Sequence, residues 1–220
     1  MNHARLDVAL QGVAHASRAH AIASAYAAER RQGRTIEGSP ALLTDHPDVR
    51  RMLNEQQDLA RTARGMCHLA LAELERDEAP ALIEFLTPLC KIYATEAGIR
   101  AADLGIQILG GYGYLEEYGM AQVWRDARIT SIYEGANGIH ALTLATRGLK
   151  LEGGAAIGQF AALVTRLGGA EPGLVVDCEA WQAHASGLAE SPDVRAEAHG
   201  FAQETAALLA RAVRLRLAAG

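Results

Sequence analysis

The sequence predicts an all-α protein, a four-helix up-and-down bundle followed by a small helical C-terminal extension. Two observations lead there. The six prolines are confined to apparent connections (Pro40, Pro47, Pro80, Pro172, Pro192), with Pro88 the exception, and the intervals between them are dominated by alanine and leucine. Within those intervals the apolar residues recur at the three-and-four spacing of a helix face, not in the alternation of a strand.

The elements follow in order. From Asn2 to about Arg31, Leu6, Leu10, Val13 and Ala14 share a face that continues through Ala21 and Ala25, which predicts a long helix with a slim second half. Asp45-His46-Pro47 offers a cap and an early proline for a second helix, whose stripe of Val49, Met52, Leu53, Leu59, Ala63, Met66, Leu71 and Leu74 ends near Asp77. A third stripe runs through Leu82, Phe85, Leu86, Leu89, Ile92, Tyr93, Ile99, Leu104 and Ile108 to a glycine stop at Gly110-Gly111. Pro88 is expected to kink or break it. A turn rich in tyrosine and glycine follows, then a short helix from Met120 to Arg128. Glu134-Gly135 is expected to open the fourth bundle member, which continues to about Leu149.

Short connections favour antiparallel neighbours, hence the up-and-down arrangement. Gly153-Gly154 marks a boundary, so residues 1–152 form the bundle and 153–220 the extension. The extension reads as three helices, from Ala155 to Leu167, about Leu174 to Leu188, and Ser191-Pro192 to about Ala218, with Ser191 as a cap.

Composition narrows the functional classes. The 220 residues are 50% hydrophobic and 21% charged with a net charge of −5, which suits a globular core and opposes a broad surface for nucleic acid. No segment approaches the roughly 20 apolar residues of a membrane span. Cys67, Cys90 and Cys178 are an odd, scattered set with no CxxC pair, so reduced thiols and a soluble, cytoplasmic protein are expected. Glu-x-x-His pairs, a G-x-S-x-G elbow, a Walker loop and H-E-x-x-H do not occur, and His15 and His20 are five apart, off a common helix face.

The most informative stretch is residues 106–149, IQILGGYGYLEEYGMAQVWRDARITSIYEGANGIHALTLATRGL. On the residues alone, Glu134 is a solvated carboxylate near a helix start, Gly110-Gly111 a helix cap, and Arg30, Arg31 and Arg34 a solvated helix end. Arg125-Asp126 reads as a structural ion pair orienting the turn before Glu134. Gly111-Tyr112-Gly113 is not a Rossmann loop, since it follows a helix and lacks the third glycine.

Three elements in order, Q-x-L-G-G-x-G-Y, R-D-A-R-I and I-Y-E-G-x-x-x-I, resemble the C-terminal signature of the acyl-CoA dehydrogenase family. Arg5, Gln11-Gly12 and Glu29-Arg30 resemble its first bundle helix, and His46-Pro47-Asp48-Val49 the start of its second. The passage from Gly148 to Gly154 and the helices beyond it are similar to the longer branch of that family, which adds a helical extension.

The resemblance implies a chemistry. Dehydrogenation across Cα and Cβ of an acyl thioester needs a base for the α-proton and an acceptor for the β-hydride. Glu134 corresponds to the base, its own N–H to a donor for the thioester carbonyl, and FAD is the implied cofactor. Tyr133, Gly135 and Arg5 correspond to substrate-side positions, with the acidic partner of Arg5 here replaced by Asn2. Arg30 matches an arginine that meets the FAD diphosphate, while Gln107, Gly110 and Gly111 match a turn approaching the pyrophosphate and adenosine of a neighbouring subunit's FAD. Two departures stand out: the phenylalanine that usually follows Arg30 is absent, and the usual flavin-contacting threonine two residues after the base is Ala136.

By this resemblance the residues given correspond to the part that follows the family's N-terminal helical and middle β-barrel domains, so a C-terminal portion is expected, together with acyl-CoA as substrate and an electron-transfer flavoprotein as acceptor. Exposed apolar surface then predicts a homo-oligomer, dimer or tetramer. The alternative is an inert, oligomerising bundle derived from the same family.

Overall fold

The computed structural model describes residues 2–169 and 171–219, and among these eight α-helices and one small hairpin make up the regular structure. The helices are α1 (Asn2–Glu29), α2 (Pro47–Arg76), α3 (Pro80–Leu109), α4 (Met120–Thr130), α5 (Asn137–Thr146), α6 (Ala155–Gly168), α7 (Pro172–Ala189) and α8 (Val194–Ala218). The all-α expectation holds. The hairpin, β1 (Arg31–Arg34) with β2 (Pro40–Leu42), was not expected. Its first strand is Arg-Gln-Gly-Arg, wholly exposed, and carries no alternation of apolar residues to betray it.

Helices α1 and α3 meet backbone to backbone. A Cβ placed on Gly12 would stand 2.2 Å from the Ala94 carbonyl oxygen, and one on Gly98 would stand 2.8 Å from the Gly12 carbonyl oxygen. Ala16, Ala19, Ala23 and Ala27 extend this close face along α1, all fully buried. Ala14, Ala21 and Ala25, expected on it, are exposed. Alanine occupies both faces of this helix, so hydrophobic contrast could not select between them.

The fourth side of the bundle is divided. Met120 and Val123 of α4 close the core formed by the alanines of α1 with Met52, Leu104 and Ile108. Ala141, Leu144 and Ala145 of α5 instead join the larger core around Leu6, Met66, Phe85, Leu86 and Leu89. That core continues into the last three helices through an aromatic chain. Phe85 lies 5.3 Å from Phe160, Phe160 4.5 Å from Trp181, and Trp181 6.0 Å from Phe201 between ring centroids. The Trp181 indole N–H donates to Thr205 Oγ1 at 2.9 Å, which satisfies the polar edge of a fully buried ring.

Several boundaries differ from expectation for local reasons. α3 runs through Pro88 unbroken, because that stretch is buried on all sides and packing outweighs one missing hydrogen bond. Asp45 does not cap α2; its carboxylate accepts from the Leu42 N–H at 2.7 Å, and His46 is the N-cap without a side-chain bond. Ser191 does not cap α8 either, since its hydroxyl accepts from Asp193 N–H and the helix starts at Val194. The side-chain cap lies on α7, where Glu171 accepts from the N–H groups of Gly173 and Leu174.

Gly12→Ala should force α1 and α3 apart, lowering stability by roughly 3 kcal/mol and Tm by roughly 6–12 °C. Gly158→Ala, on an open helix face, should raise stability by roughly 0.5–1 kcal/mol. Thermal melts of the two variants followed by circular dichroism check the contrast.

Candidate active site

Between α4 and α5 the chain makes a turn closed by the Asn137 N–H donating to the Ser131 carbonyl at 3.0 Å. Glu134 and Gly135 sit inside it with φ of 53° and 90°, both left-handed. They therefore precede α5 instead of opening it, and Ala136 is the N-cap, without a side-chain bond. A left-handed glutamate costs roughly 1–2 kcal/mol, so the surroundings must hold it.

They do so through the carbonyls. His140 Nε2 donates to the Glu134 carbonyl at 2.9 Å, which places the proton of this ring on Nε2. Lys91 Nζ donates to the Gly135 carbonyl at 2.8 Å and to Asn137 Oδ1 at 2.9 Å. Asn137 Nδ2 in turn donates to Thr95 Oγ1 at 3.1 Å and Glu96 Oε1 at 3.3 Å. The Tyr133 hydroxyl donates to Gln11 Oε1 on α1, one residue before the Gly12 crossing. Glycine at 135 is required by the fold itself, since a Cβ there would stand 2.9 Å from His140 Nε2.

Lys91 has no solvent exposure, and loss of water pushes its pKa down to about 8 against the opposing pull of Glu134 and Glu96. Burial likewise lowers the pKa of His140, resisted by its bond to the Glu134 carbonyl and assisted by the charges of Lys91 and Arg5. The turn's outer side is different. Tyr133, Glu134, Gly135 and Ala136 are exposed, and so are the flanking Ile129, Ile132 and Ile139. Among the described residues none accepts a hydrogen bond from the Glu134 N–H. Half-buried Arg5 lines a cavity of about 250 Å³ with Glu84, Pro88, Thr143, Leu144 and Arg147, where Arg147 bonds Glu84 at 2.9 Å.

A second group of expected residues gathers elsewhere. The Arg30 guanidinium lies 5.5 Å over the Tyr112 ring, in the turn that follows α3, and Tyr112 packs on Tyr118 at 5.0 Å. The C-cap reading of this turn is right, because Gly110, at φ 61°, donates its N–H to the carbonyl of the exposed Gln107. Gly111 differs, since a Cβ there would meet nothing within 4 Å and no positive φ demands glycine. Arg31 and Arg34 are occupied by the hairpin carbonyls of Pro40 and Gly38. Arg30, just past the end of α1, follows Gln11 by 19 positions, about 28 Å at 1.5 Å per residue, so the two groups are well separated along α1.

An anionic dinucleotide needs an exposed cation and backbone that it can approach closely. Arg30 and Gly110-Gly111 offer both, so the chemistry of the donor set fits FAD. The expected Arg125–Asp126 pair is absent. Arg125 bonds Glu116 at 2.8 Å, and Asp126 accepts from Gln122, because neighbours in a helix point apart. Lys91, Asn137 and His140 were not singled out in the sequence. The one available signal was a lysine within the near-continuous apolar run from Leu82 to Ile92.

Fold and turn together define a helical bundle domain that presents one carboxylate from a braced, left-handed loop. The family described as "Acyl-CoA dehydrogenase, C-terminal domain" matches residues 1–149, and the chain belongs to the acyl-CoA dehydrogenase family. It is 42% identical over 176 residues to 3-methylmercaptopropionyl-CoA dehydrogenase of Ruegeria pomeroyi, covering 74% of this chain and 30% of that protein. The chain thus spans about a third of that relative's length. In fold it is similar to Caenorhabditis elegans ACDH-11 in complex with C11-CoA, with a TM-score of 0.79 and 20% identity over 99% of this chain and 39% of the other. The Bacillus anthracis acyl-CoA dehydrogenase complexed with FAD gives a TM-score of 0.76 and 21% identity over 98% and 42%. Both matches include the helices beyond residue 152. Among the described residues no helix is long and apolar enough to cross a membrane, and no cluster of His, Cys, Asp or Glu could hold a metal.

Two outcomes follow from the site. Between pH 8 and the ordinary lysine value of 10.5 the unfolded chain keeps a proton that folded Lys91 has released, so this group's contribution to stability rises with pH. Denaturant melts across that window should show the unmutated chain gaining stability relative to Lys91→Met. Ala136→Thr should add a side-chain N-cap to α5 and stabilise the chain by about 1 kcal/mol in the same assay.

Proposed function

We propose that this chain supplies the base-bearing portion of an FAD-dependent acyl-CoA dehydrogenase acting on the Cα–Cβ bond of an acyl-CoA thioester. The observation that carries this reading is the turn at Tyr133-Glu134-Gly135. Its carbonyls are tied inward while the carboxylate of Glu134 remains on an exposed, largely apolar surface.

Glu134 takes the α-proton. Substrate covering the turn's exposed isoleucine surround would exclude water from that transfer. The Glu134 N–H, which has no partner among the described residues, donates to the thioester carbonyl and stabilises the charge that develops there. Tyr133, fixed by Gln11, and Arg5 border the substrate, and Gly135 keeps the loop low beside it.

A bound FAD supplies the acceptor for the β-hydride at its N5. Arg30 would hold the diphosphate, and Gln107 with Gly110-Gly111 would let backbone approach the pyrophosphate and adenosine side. Arg30 follows Gln11, the anchor of the Glu134 turn, by 19 positions, about 28 Å at 1.5 Å per residue, so a homo-oligomer, dimer or tetramer, reconciles the two groups: each chain would lend its Arg30 end to a neighbour's cofactor. Ala136, at the position expected to contact the flavin, lacks the hydroxyl of a threonine. An electron-transfer flavoprotein serves as acceptor, and the setting is cytoplasmic.

The test is flavin absorbance of the purified protein together with dye reduction by a panel of acyl-CoA substrates. Glu134→Gln should retain flavin and lose roughly 10²–10⁴-fold in rate. A colourless protein that oligomerises and reduces no dye identifies an inert bundle module and overturns the proposal for this chain.

A further inference from the structure

We propose that Lys91, acting with His140, is a positioning residue for Glu134: the two buried donors hold the Gly135 and Glu134 carbonyls inward and thereby turn the Glu134 carboxylate, with the Gly135 and Ala136 N–H groups, outward to one substrate face. This rests on the reading of Glu134 as the base.

The geometry of the turn carries the argument. Glu134 and Gly135 are consecutive residues of the same left hand, with φ of 53° and 90°. In a trans peptide unit the C=O and the N–H point opposite ways. Pulling the Glu134 and Gly135 carbonyls to the core therefore aims the N–H groups of Gly135 and Ala136 at the exterior. Each carbonyl has its own donor from a different helix, Lys91 Nζ of α3 at 2.8 Å and His140 Nε2 of α5 at 2.9 Å. Both donors are buried, His140 at 2% exposure and Lys91 at none, so water does not compete for the carbonyls.

A lysine is costly to bury, and an apolar residue in its place would fill the same volume within a core of leucine and isoleucine. What the lysine adds is a charged donor at the back of the loop. Asn137 Oδ1 is its second acceptor, and Asn137 is itself fixed by Thr95 and Glu96, so the ammonium is aimed from behind as well. Polarising the Gly135 carbonyl strengthens the N–H on the far side of the same peptide unit.

The charged and titratable groups that face this loop are Lys91 and Glu96 from α3, His140 from α5 and Arg5 from α1. From α8 the neutral Gln203 amide reaches Glu96 at 3.1 Å. Removal of Lys91 therefore removes the cation bonded directly to the loop and leaves Glu96 behind.

The test uses the flavin-loaded protein and its amide spectrum. Lys91→Met should lower kcat by roughly 10- to 100-fold with little change in KM. The Gly135 and Ala136 amide resonances should shift in the same variant. His140→Phe releases only the Glu134 carbonyl and should lower kcat while moving the Gly135 amide more than that of Ala136. In the unmutated protein the Ala136 amide should follow the titration of Lys91, a measurement that needs no variant. An unmoved amide across that titration, or a folded Lys91→Met with unchanged kcat, overturns the proposal. A fully active Glu134→Gln would instead remove the assignment of the base on which it rests.

Discussion

The contact between Gly12 and Gly98 sets the separation of α1 and α3, and the site depends on that separation. Gln11, adjacent to the crossing, reaches the Tyr133 hydroxyl, while Lys91, Thr95 and Glu96 lie within two turns of Gly98 and grip the next residues of the same loop. A loop anchored by two helices is placed accurately only if those helices are themselves in register. Backbone-to-backbone contact gives that register less freedom than interdigitating side chains would, because carbonyl and amide atoms cannot change rotamer.

The long helices were legible because each carries a clear stripe or a clear punctuation signal. α2 shows it best, with proline at its first position and a left-handed Asp77 at its end. Legibility failed where the chemistry is degenerate. Alanine covers both faces of α1, so its buried side could not be read, and the hairpin is too short and too polar to show a period. In the candidate site, motif resemblance drew attention to Glu134, Gly135 and the glycine turn. The partners that hold them were hidden, because Lys91 and His140 come from separate helices and act on backbone carbonyls. A side chain that bonds main chain leaves no complementary residue type at the other end to be recognised in a sequence.

The two groups of expected residues lie apart. Gln11, in the first half of α1, anchors the Glu134 turn, while an arginine, an aromatic cluster and an unoccluded glycine gather at the helix's C-terminal end. The helix between them keeps their spacing rigid. The last three helices reinforce that rigidity. They bind through Phe85 to the second turn of α3, and so stiffen the same helix from which the loop is held.

The left-handed backbone at Glu134 also restricts how this position can change over generations. Few side chains accept positive φ without strain: glycine does, asparagine and aspartate do so readily, and β-branched residues do not. A gene drifting under relaxed selection at this codon would therefore be steered toward Gly, Asn or Asp, and away from Val, Ile or Thr, even after any chemistry there had been lost. Backbone conformation thus imposes its own filter on replacement, and a descendant's residue at 134 would record the shape of the loop.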